Sequence, residues 1–303
     1  MSSGSLRVMG CFMIDFSIPG AARLAADRVT AAIDEATARP GKYAWRIKPS
    51  SLGGECIAQL WYAFRWAAKK DVKGRLGRIF DDGDMYEPKI VSWLRASGWN
   101  VQDKDPSKIG TKFEQWNFKA LDGHVSSYLD GICSHPEFTG GVNALLECKS
   151  KNKRRFGLLL SKKSIKAADF KEYTQLCIYM EAYNLPFAVF FAVCKDDADT
   201  YVEFVPRDPE TAERALRIAL TIRDSRARPA RIAETPSYHV CKNECDFVGV
   251  CHLGETPDRN CRSCVNSVPI GGGKFGCNAF NEVIPNEKHI VEFALTCPHY
   301  QAI

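Results

Sequence analysis

Asp130, Glu147 and Lys149 are the residues of this chain whose types and spacing could do chemistry on a phosphate. Asp130 ends a stretch that alternates like a strand and precedes Gly131, while Glu147-Cys148-Lys149 closes a short apolar strand that begins at Asn143. Residues i and i+2 of a strand project from one face, so Glu147 and Lys149 can share a site, and pairing of the two strands would bring Asp130 to them. Two carboxylates beside a lysine suit a Mg²⁺ or Mn²⁺ ion that also holds a phosphate. Such an ion polarises the scissile phosphate and lowers the pKa of an attacking water. The lysine can orient that water or offset charge developing in the transition state. The same residues are also common as plain surface charges at strand ends, and the triplet alone does not separate the two readings.

The elements that must position these residues follow from pattern. Ala21 to Ala38 consists of good helix formers and ends at Pro40-Gly41. A second helix is expected from about Cys56 to Lys70, and a third over Lys73 to Gly98 with Gly98 at its C-terminal stop. Gln115 to Leu121 and His124 to Cys133 alternate like strands across the turn signal Asp122-Gly123. Lys149 to Lys166 reads as a basic loop or mobile helix, Ala167 to Tyr183 as a helix, Pro186 to Cys194 as a buried strand with Thr200 to Val205 as its hairpin partner, and Glu210 to Arg228 as an amphipathic helix. Helices and strands in this order predict an α/β core with a mixed sheet. Beyond Pro236 regular patterning fails and cysteine, glycine and proline take over.

The chain has 303 residues, 45% of them hydrophobic and 25% charged, with a net charge of +5, the composition of an ordinary globular protein with a slight basic bias. No apolar run approaches the ~20 residues needed to cross a bilayer. Met1 to Gly10 lacks the order of a secretory signal, and Asp15 interrupts the apolar patch from Cys11 to Ile18, so a cytoplasmic protein of a bacterial or phage-infected cell is expected. Thirteen cysteines, an odd number in a long chain, argue against a disulfide framework. Cys241, Cys245, Cys251, Cys261, Cys264, Cys277 and Cys297 crowd the C-terminal tail, where clustered thiols in a reducing compartment point to metal. Of these, Cys261-x-x-Cys264 with Cys277 and Cys297 reads as a closed four-thiolate zinc site, with His299 or His252 as an alternative to Cys297. Cys11, Cys133, Cys177 and Cys194 lie in apolar settings and are expected in the core.

Four short strings in order resemble the PD-(D/E)xK nuclease superfamily, in the RecB-like branch that includes CRISPR adaptation nucleases and many phage exonucleases. They are Gly83-Asp84-Met85-Tyr86-Glu87, Asp130-Gly131, Glu147-Cys148-Lys149 and Gln175-Leu176-Cys177-Ile178-Tyr179. The resemblance implies a restriction-endonuclease-like core, a mixed central sheet flanked by helices, with a helical N-terminal segment and a cysteine-rich metal-binding tail. It implies Asp130, Glu147 and the backbone carbonyl of Cys148 as ligands of the catalytic Mg²⁺ or Mn²⁺, and Glu87 as a ligand directly or through water. Lys149 would position the nucleophile, while Gln175 and Tyr179, one helical turn apart, would contact DNA or steady the lysine. Glu87 stands where histidine is frequent in the branch. The implied division is an N-terminal segment 1–70, a nuclease core 71–235 and a metal-binding module 236–303.

Some members of that branch hold a four-cysteine [4Fe–4S] cluster with one ligand before the core and three after it. Ser51-Leu52-Gly53-Gly54-Glu55-Cys56, followed by Leu60-Trp61-Tyr62, resembles the upstream signature, and Cys241, Cys245 and Cys251 resemble the downstream triplet. The first gap of the triplet is three residues instead of two, and His239 is an alternative to Cys241. By softness alone four thiolates suit iron–sulfur or zinc equally; the resemblance selects iron–sulfur.

Lys151, Lys153, Arg154, Arg155, Lys162, Lys163 and Lys166 follow the catalytic strand and are expected to meet phosphates without reading sequence. The expected function is a metal-dependent deoxyribonuclease, with exonuclease action on DNA ends or single strands favoured over endonuclease action, serving recombination, repair or replication in a phage-type setting, with DNA and recombination or replication proteins as partners and no membrane. The rival expectations are a non-cleaving nucleic-acid-binding adaptor of the same fold and a metal-cluster redox or sensor protein.

Overall fold

The computed structural model describes residues 19–69, 71–284 and 287–303; Cys11 and the start of the chain lie outside the described residues. In chain order the elements are α1 (Ala21–Thr37), α2 (Ile57–Phe64), α3 (Gly74–Ala96), β1 (Asn100–Gln102), β2 (Asn117–Ala120), β3 (Val125–Tyr128), β4 (Gly131–Ser134) and β5 (Ala144–Lys151). Then come α4 (Lys153–Lys162), α5 (Ile165–Ala168), α6 (Phe170–Ala182), β6 (Phe187–Cys194), β7 (Thr200–Pro206) and α7 (Pro209–Asp224). The tail holds α8 (His239–Glu244), α9 (Val248–His252), β8 (Ser267–Ile270), β9 (Lys274–Cys277), β10 (Glu282–Ile284) and α10 (Glu287–Thr296). No helix among the described residues is long and apolar enough to cross a membrane.

Two compact units are present. The described part of the smaller comprises residues 19–40 and 71–81. There Arg39 and Val72 exchange backbone hydrogen bonds of 2.9 Å, and Arg78 pairs with Asp34 at 2.8 Å. A Cβ at Gly74 would come within 2.1 Å of the Asp34 carbonyl oxygen, and one at Gly77 within 2.4 Å of that of Thr37, so close approach of backbone to backbone requires glycine at both.

The larger unit is built on a mixed five-stranded sheet of order β1-β4-β5-β6-β7, flanked by helices. β5 and β6 run parallel, pairing Glu147 with Phe190 and Lys149 with Ala192, and the other neighbours are antiparallel. A parallel pair needs a long crossover, which α4, α5 and α6 supply. Alternation sorts β5 and β6 between two cores. Leu145, Ala188, Phe190 and Ala192 pack with Leu176, Ile178 and Tyr179 of α6. Leu146, Cys148, Val189, Phe191 and Val193 pack with Ile90, Val91 and Leu94 of α3. Glu147 and Lys149 therefore share the α6 side of the sheet.

Four elements differ from the sequence expectation. α2 stops at Phe64 because Trp66 takes a left-handed φ of 56°. His124 to Cys133 is two strands, β3 pairing with β2 and β4 joining the main sheet, with Leu129 and Asp130 between them. The stretch 149–166 is ordered, as the end of β5 and two helices; Asn152 caps α4 by accepting from the Arg155 amide at 2.9 Å. The tail carries the three-stranded sheet β10-β9-β8. Its Phe275, Ile284 and Ile290 belong to the same apolar cluster as Trp61 and Phe64 of α2. Arg262, fully buried there, lies over the rings of Phe64, Trp66 and Phe275 at 4.9, 4.6 and 4.1 Å.

Candidate active site

The site forms where β4 and β5 pair. Gly131 opens β4 opposite Leu146, so the preceding Asp130 stands at the level of Glu147, next along β5. The Cys148 amide donates to Asp130 Oδ2 at 2.7 Å. A Cβ on Gly131 would sit 3.0 Å from the Gln102 carbonyl oxygen, so the small residue lets β1 close against this turn. Glu147 is 1% exposed and its Oε1 accepts from Lys149 Nζ and, at 2.9 Å, from Gln175 Nε2. Lys149 Nζ also reaches the Cys148 carbonyl oxygen at 3.4 Å. Glu147 Oε2 is buried and has no hydrogen-bond partner among the described residues.

Gln175 and Tyr179 come from α6, one turn apart on the face turned to β5. Tyr179 donates to the Tyr128 carbonyl oxygen at 3.2 Å, and Gln175 Nε2 lies 3.5 Å from the Tyr179 hydroxyl. Glu87 enters from α3; Gly83, one turn earlier, has a Cβ position 3.9 Å from Ser150 Oγ.

The electrostatics are those of crowded acids. Burial pushes Glu147 up, Asp130 adds to the shift and Lys149 opposes it. Burial and then Asp130 raise Glu87 to about 7, against the pull of Lys149. Burial disfavours the Lys149 ammonium, but Glu147, Asp130 and Glu172 outweigh it and hold the proton on. The Cys148 thiol is raised by burial and by all three acids, Asp130, Glu147 and Glu87. Three carboxylates and one lysine thus converge around the Cys148 peptide, with one carboxylate oxygen unsatisfied. As the side chains stand, no group of three or more His, Cys, Asp or Glu among the described residues is arranged to hold a metal ion. The donor set fits a hard divalent cation all the same, because an orphaned buried carboxylate oxygen needs a positive partner.

The expected basic contacts divide. Arg154, Arg155, Lys162 and Lys163 are exposed on α4 or just after it, and Lys153 is exposed with Asp197 at 3.3 Å. Lys166 pairs with Asp208 at 3.1 Å. Lys151 does not fit the phosphate role. It is 5% exposed and both Glu172 carboxylate oxygens accept from its Nζ, at 2.9 and 2.7 Å. Strand alternation turned it inward beside Glu147 and Lys149, a signal present in the spacing but masked by the run of charges.

The thiols of each cysteine group lie near enough to feel one another's charge, though among the described residues neither group is arranged as a ligand set as the side chains stand. Burial raises the Cys245 thiol to about 11, with Cys56, Cys241 and Cys251 each adding to the shift. Cys56 forms the N-cap of α2, and Cys241 Sγ lies 3.6 Å from His252 Nε2, which places His252 with this group. Burial raises Cys261 to about 12, with Cys277, Cys297 and Cys264 adding to it. These four line a cavity of about 100 Å³ that His289 and His299 also face. Cys133, Cys177 and Cys194 are buried in the apolar cores.

No protein family's sequence profile matches the chain, and no curated protein matches it. Among solved structures the chain is similar to an alkaline exonuclease from Laribacter hongkongensis, with 13% identity and a TM-score of 0.40 over 63% of this chain and 90% of the other. It is similar also to that exonuclease in complex with dAMP, with 13% identity and a TM-score of 0.42 over 59% of this chain and 86% of the other.

Proposed function

We propose that the chain is a divalent-metal-dependent DNA nuclease of the PD-(D/E)xK type, an exonuclease acting on DNA ends or single strands with little sequence preference, in recombination, repair or replication. The observation that carries the proposal is Glu147 Oε2, buried without a partner where Asp130, Glu87 and Lys149 converge. Asp130, Glu147, Glu87 and the Cys148 carbonyl would hold Mg²⁺ or Mn²⁺. When bound, the ion supplies Lewis acidity to the phosphate and acidifies a water.

The chain's own residues do the rest. Lys149, kept protonated by the surrounding acids, donates toward the attacking water or the developing negative charge. Gln175 fixes the Glu147 carboxylate through Oε1, leaving Oε2 directed elsewhere. Tyr179 ties α6 to the end of β3 through the Tyr128 carbonyl. Lys153, Arg154, Arg155, Lys162 and Lys163 supply positive charge along α4 for the DNA backbone.

The thiol groups complete the proposal as structural centres. Cys56, Cys241, Cys245 and Cys251 would hold a [4Fe–4S] cluster, and Cys261, Cys264, Cys277 and Cys297 a zinc ion. Both assignments draw support from four soft donors near enough to feel one another's charge in each group, although as the side chains stand they are not arranged as ligands.

End-labelled single- and double-stranded DNA, incubated with Mg²⁺ or Mn²⁺, tests the reading. The wild-type chain should shorten labelled ends only with metal, and Glu147→Gln should leave the DNA intact while still binding it. Undiminished cleavage by Glu147→Gln would overturn the assignment, and a wild-type chain that binds DNA without cutting it would favour the adaptor.

A further inference from the structure

β5 places three ionisable residues in one row on the α6 side, Glu147, Lys149 and Lys151, at alternate positions. α6 answers with a row of its own at Glu172, Gln175 and Tyr179. The rows meet as rungs: Glu172 accepts from Lys151, and Gln175 donates to Glu147. Lys149 stands between, bonded to Glu147.

Glu172 is a competitor in this arrangement. Its side chain is only 17% exposed, and its amide is tied to Asp169 Oδ1 at 3.2 Å in the first turn of α6, which fixes its Cα beside the lysine row of β5. Its charge is felt at Glu147 and at Lys149 alike. A half-buried carboxylate is stabilised by a nearby cation. Lys151, on both its oxygens, is that cation; without Lys151 the next cation on the same strand face is Lys149.

We infer that Lys151 is a positioning residue for the reaction: by occupying Glu172 it keeps Lys149 on Glu147, at the reacting centre. The inference rests on the nuclease reading for its consequence in catalysis, but the geometry it asserts can be tested apart from cleavage. It also explains why a lysine is buried one strand repeat beyond the catalytic lysine, where an apolar pair would serve packing as well or better.

The role predicts an asymmetry that a merely structural ion pair would not show. Lys151→Met leaves Glu172 unpaired, draws Lys149 away and should lower kcat about tenfold with KM for DNA unchanged, since a small displacement of a reacting group is costly. Glu172→Gln removes the competitor and should keep kcat within about threefold of wild type, and added to Lys151→Met it should restore kcat to that level. A structural pair would be hurt equally from either side.

Crystal structures of the variants, solved without DNA, read the position of Lys149 Nζ directly. Capture by Glu172 should move Nζ from Glu147 to Glu172 in Lys151→Met, and the double variant should return it to Glu147. Equal loss of kcat in Lys151→Met and Glu172→Gln, or Lys149 still on Glu147 in Lys151→Met, overturns the inference. If Lys151→Met does not fold, Glu172→Gln and Lys151→Arg decide: both should retain kcat with Lys149 on Glu147, and a tenfold loss in Glu172→Gln overturns it. A wild-type chain that cuts no DNA defeats the nuclease reading alone, and the position of Lys149 in the variants still judges the pair.

Discussion

The Cys148 amide donates to Asp130 Oδ2 at 2.7 Å, so the residue between Glu147 and Lys149 carries the bond that fixes the third member of the site. One peptide of β5 thereby sets three functional groups. Its amide holds Asp130, its flanking side chains are Glu147 and Lys149, and its carbonyl oxygen faces Lys149 Nζ at 3.4 Å. Any shift of register between β4 and β5 would part Asp130 from the other two.

That bond predicts how Asp130→Asn behaves. The amide oxygen can still accept from Cys148, so stability should change by no more than about 1 kcal/mol. The charge is lost, and with it on the order of 10²-fold or more in cleavage rate. Thermal melts, a DNA-binding titration and the end-labelled assay, run on one preparation, check the three expectations. A large fall in melting temperature would show that Asp130 acts mainly through the fold.

The alternation of Glu147 and Lys149, and the one-turn spacing of Gln175 and Tyr179, were legible in the sequence because both depend on local periodicity. Lys151 obeys the same strand period, yet its neighbours Lys153, Arg154 and Arg155 made it resemble a solvated run; its partner Glu172 lies in a different element and carries no local mark. The break between β3 and β4 was hidden because only Leu129-Asp130 separates two strands that belong to different sheets. The tail strands have three or four residues each, too few for a period, and the left-handed Trp66 that ends α2 has no signal in its side chain.

Stability in acid should depend on Asp208, which caps α7. The Thr211 amide holds its carboxyl well below the usual value of 3.8, against some burial, with Tyr173, the Thr211 hydroxyl and Lys166 adding to the effect. A depressed folded pKa means that the stabilisation is present in full above the unfolded value and is lost as the pH falls below it. Asp208→Ala should therefore cost about 1 kcal/mol at neutral pH, the usual effect of removing such a cap. The gap between the two proteins should narrow as the pH drops below 3.8. Urea unfolding at neutral pH and at several acid values measures the gap; one that widens in acid would contradict the sign.

Gly98 ends α3 with φ of +89°, and a Cβ there would stand 3.2 Å from His135 Nε2. Both the backbone conformation and the neighbour disfavour a side chain. Gly98→Val should destabilise the fold by about 1–3 kcal/mol. Because the position lies beyond the C-terminal end of α3, about three helical turns after Glu87, kcat at a temperature well below the melting point should stay unchanged. Denaturant midpoints and low-temperature rates separate the two effects.

The two thiol groups should differ in colour and in what their loss does. Cys56 starts α2 without making a side-chain capping bond, so its sulfur is available to Cys241, Cys245 and Cys251. Protein purified without oxygen should be brown, from a cluster that absorbs broadly in the visible, and should carry one zinc, which has no such absorption. Cys56→Ser should remove the colour and spare the zinc, whereas Cys277→Ser should do the reverse. Since Cys56 precedes α2 and the Cys264 carbonyl accepts from Arg65 at the other end of that helix, either loss should also lower the melting temperature. Colourless anaerobic protein with zinc in both groups would replace iron with zinc at Cys56 and leave the four-cysteine centre itself standing; protein with no bound metal would remove both centres from the proposal.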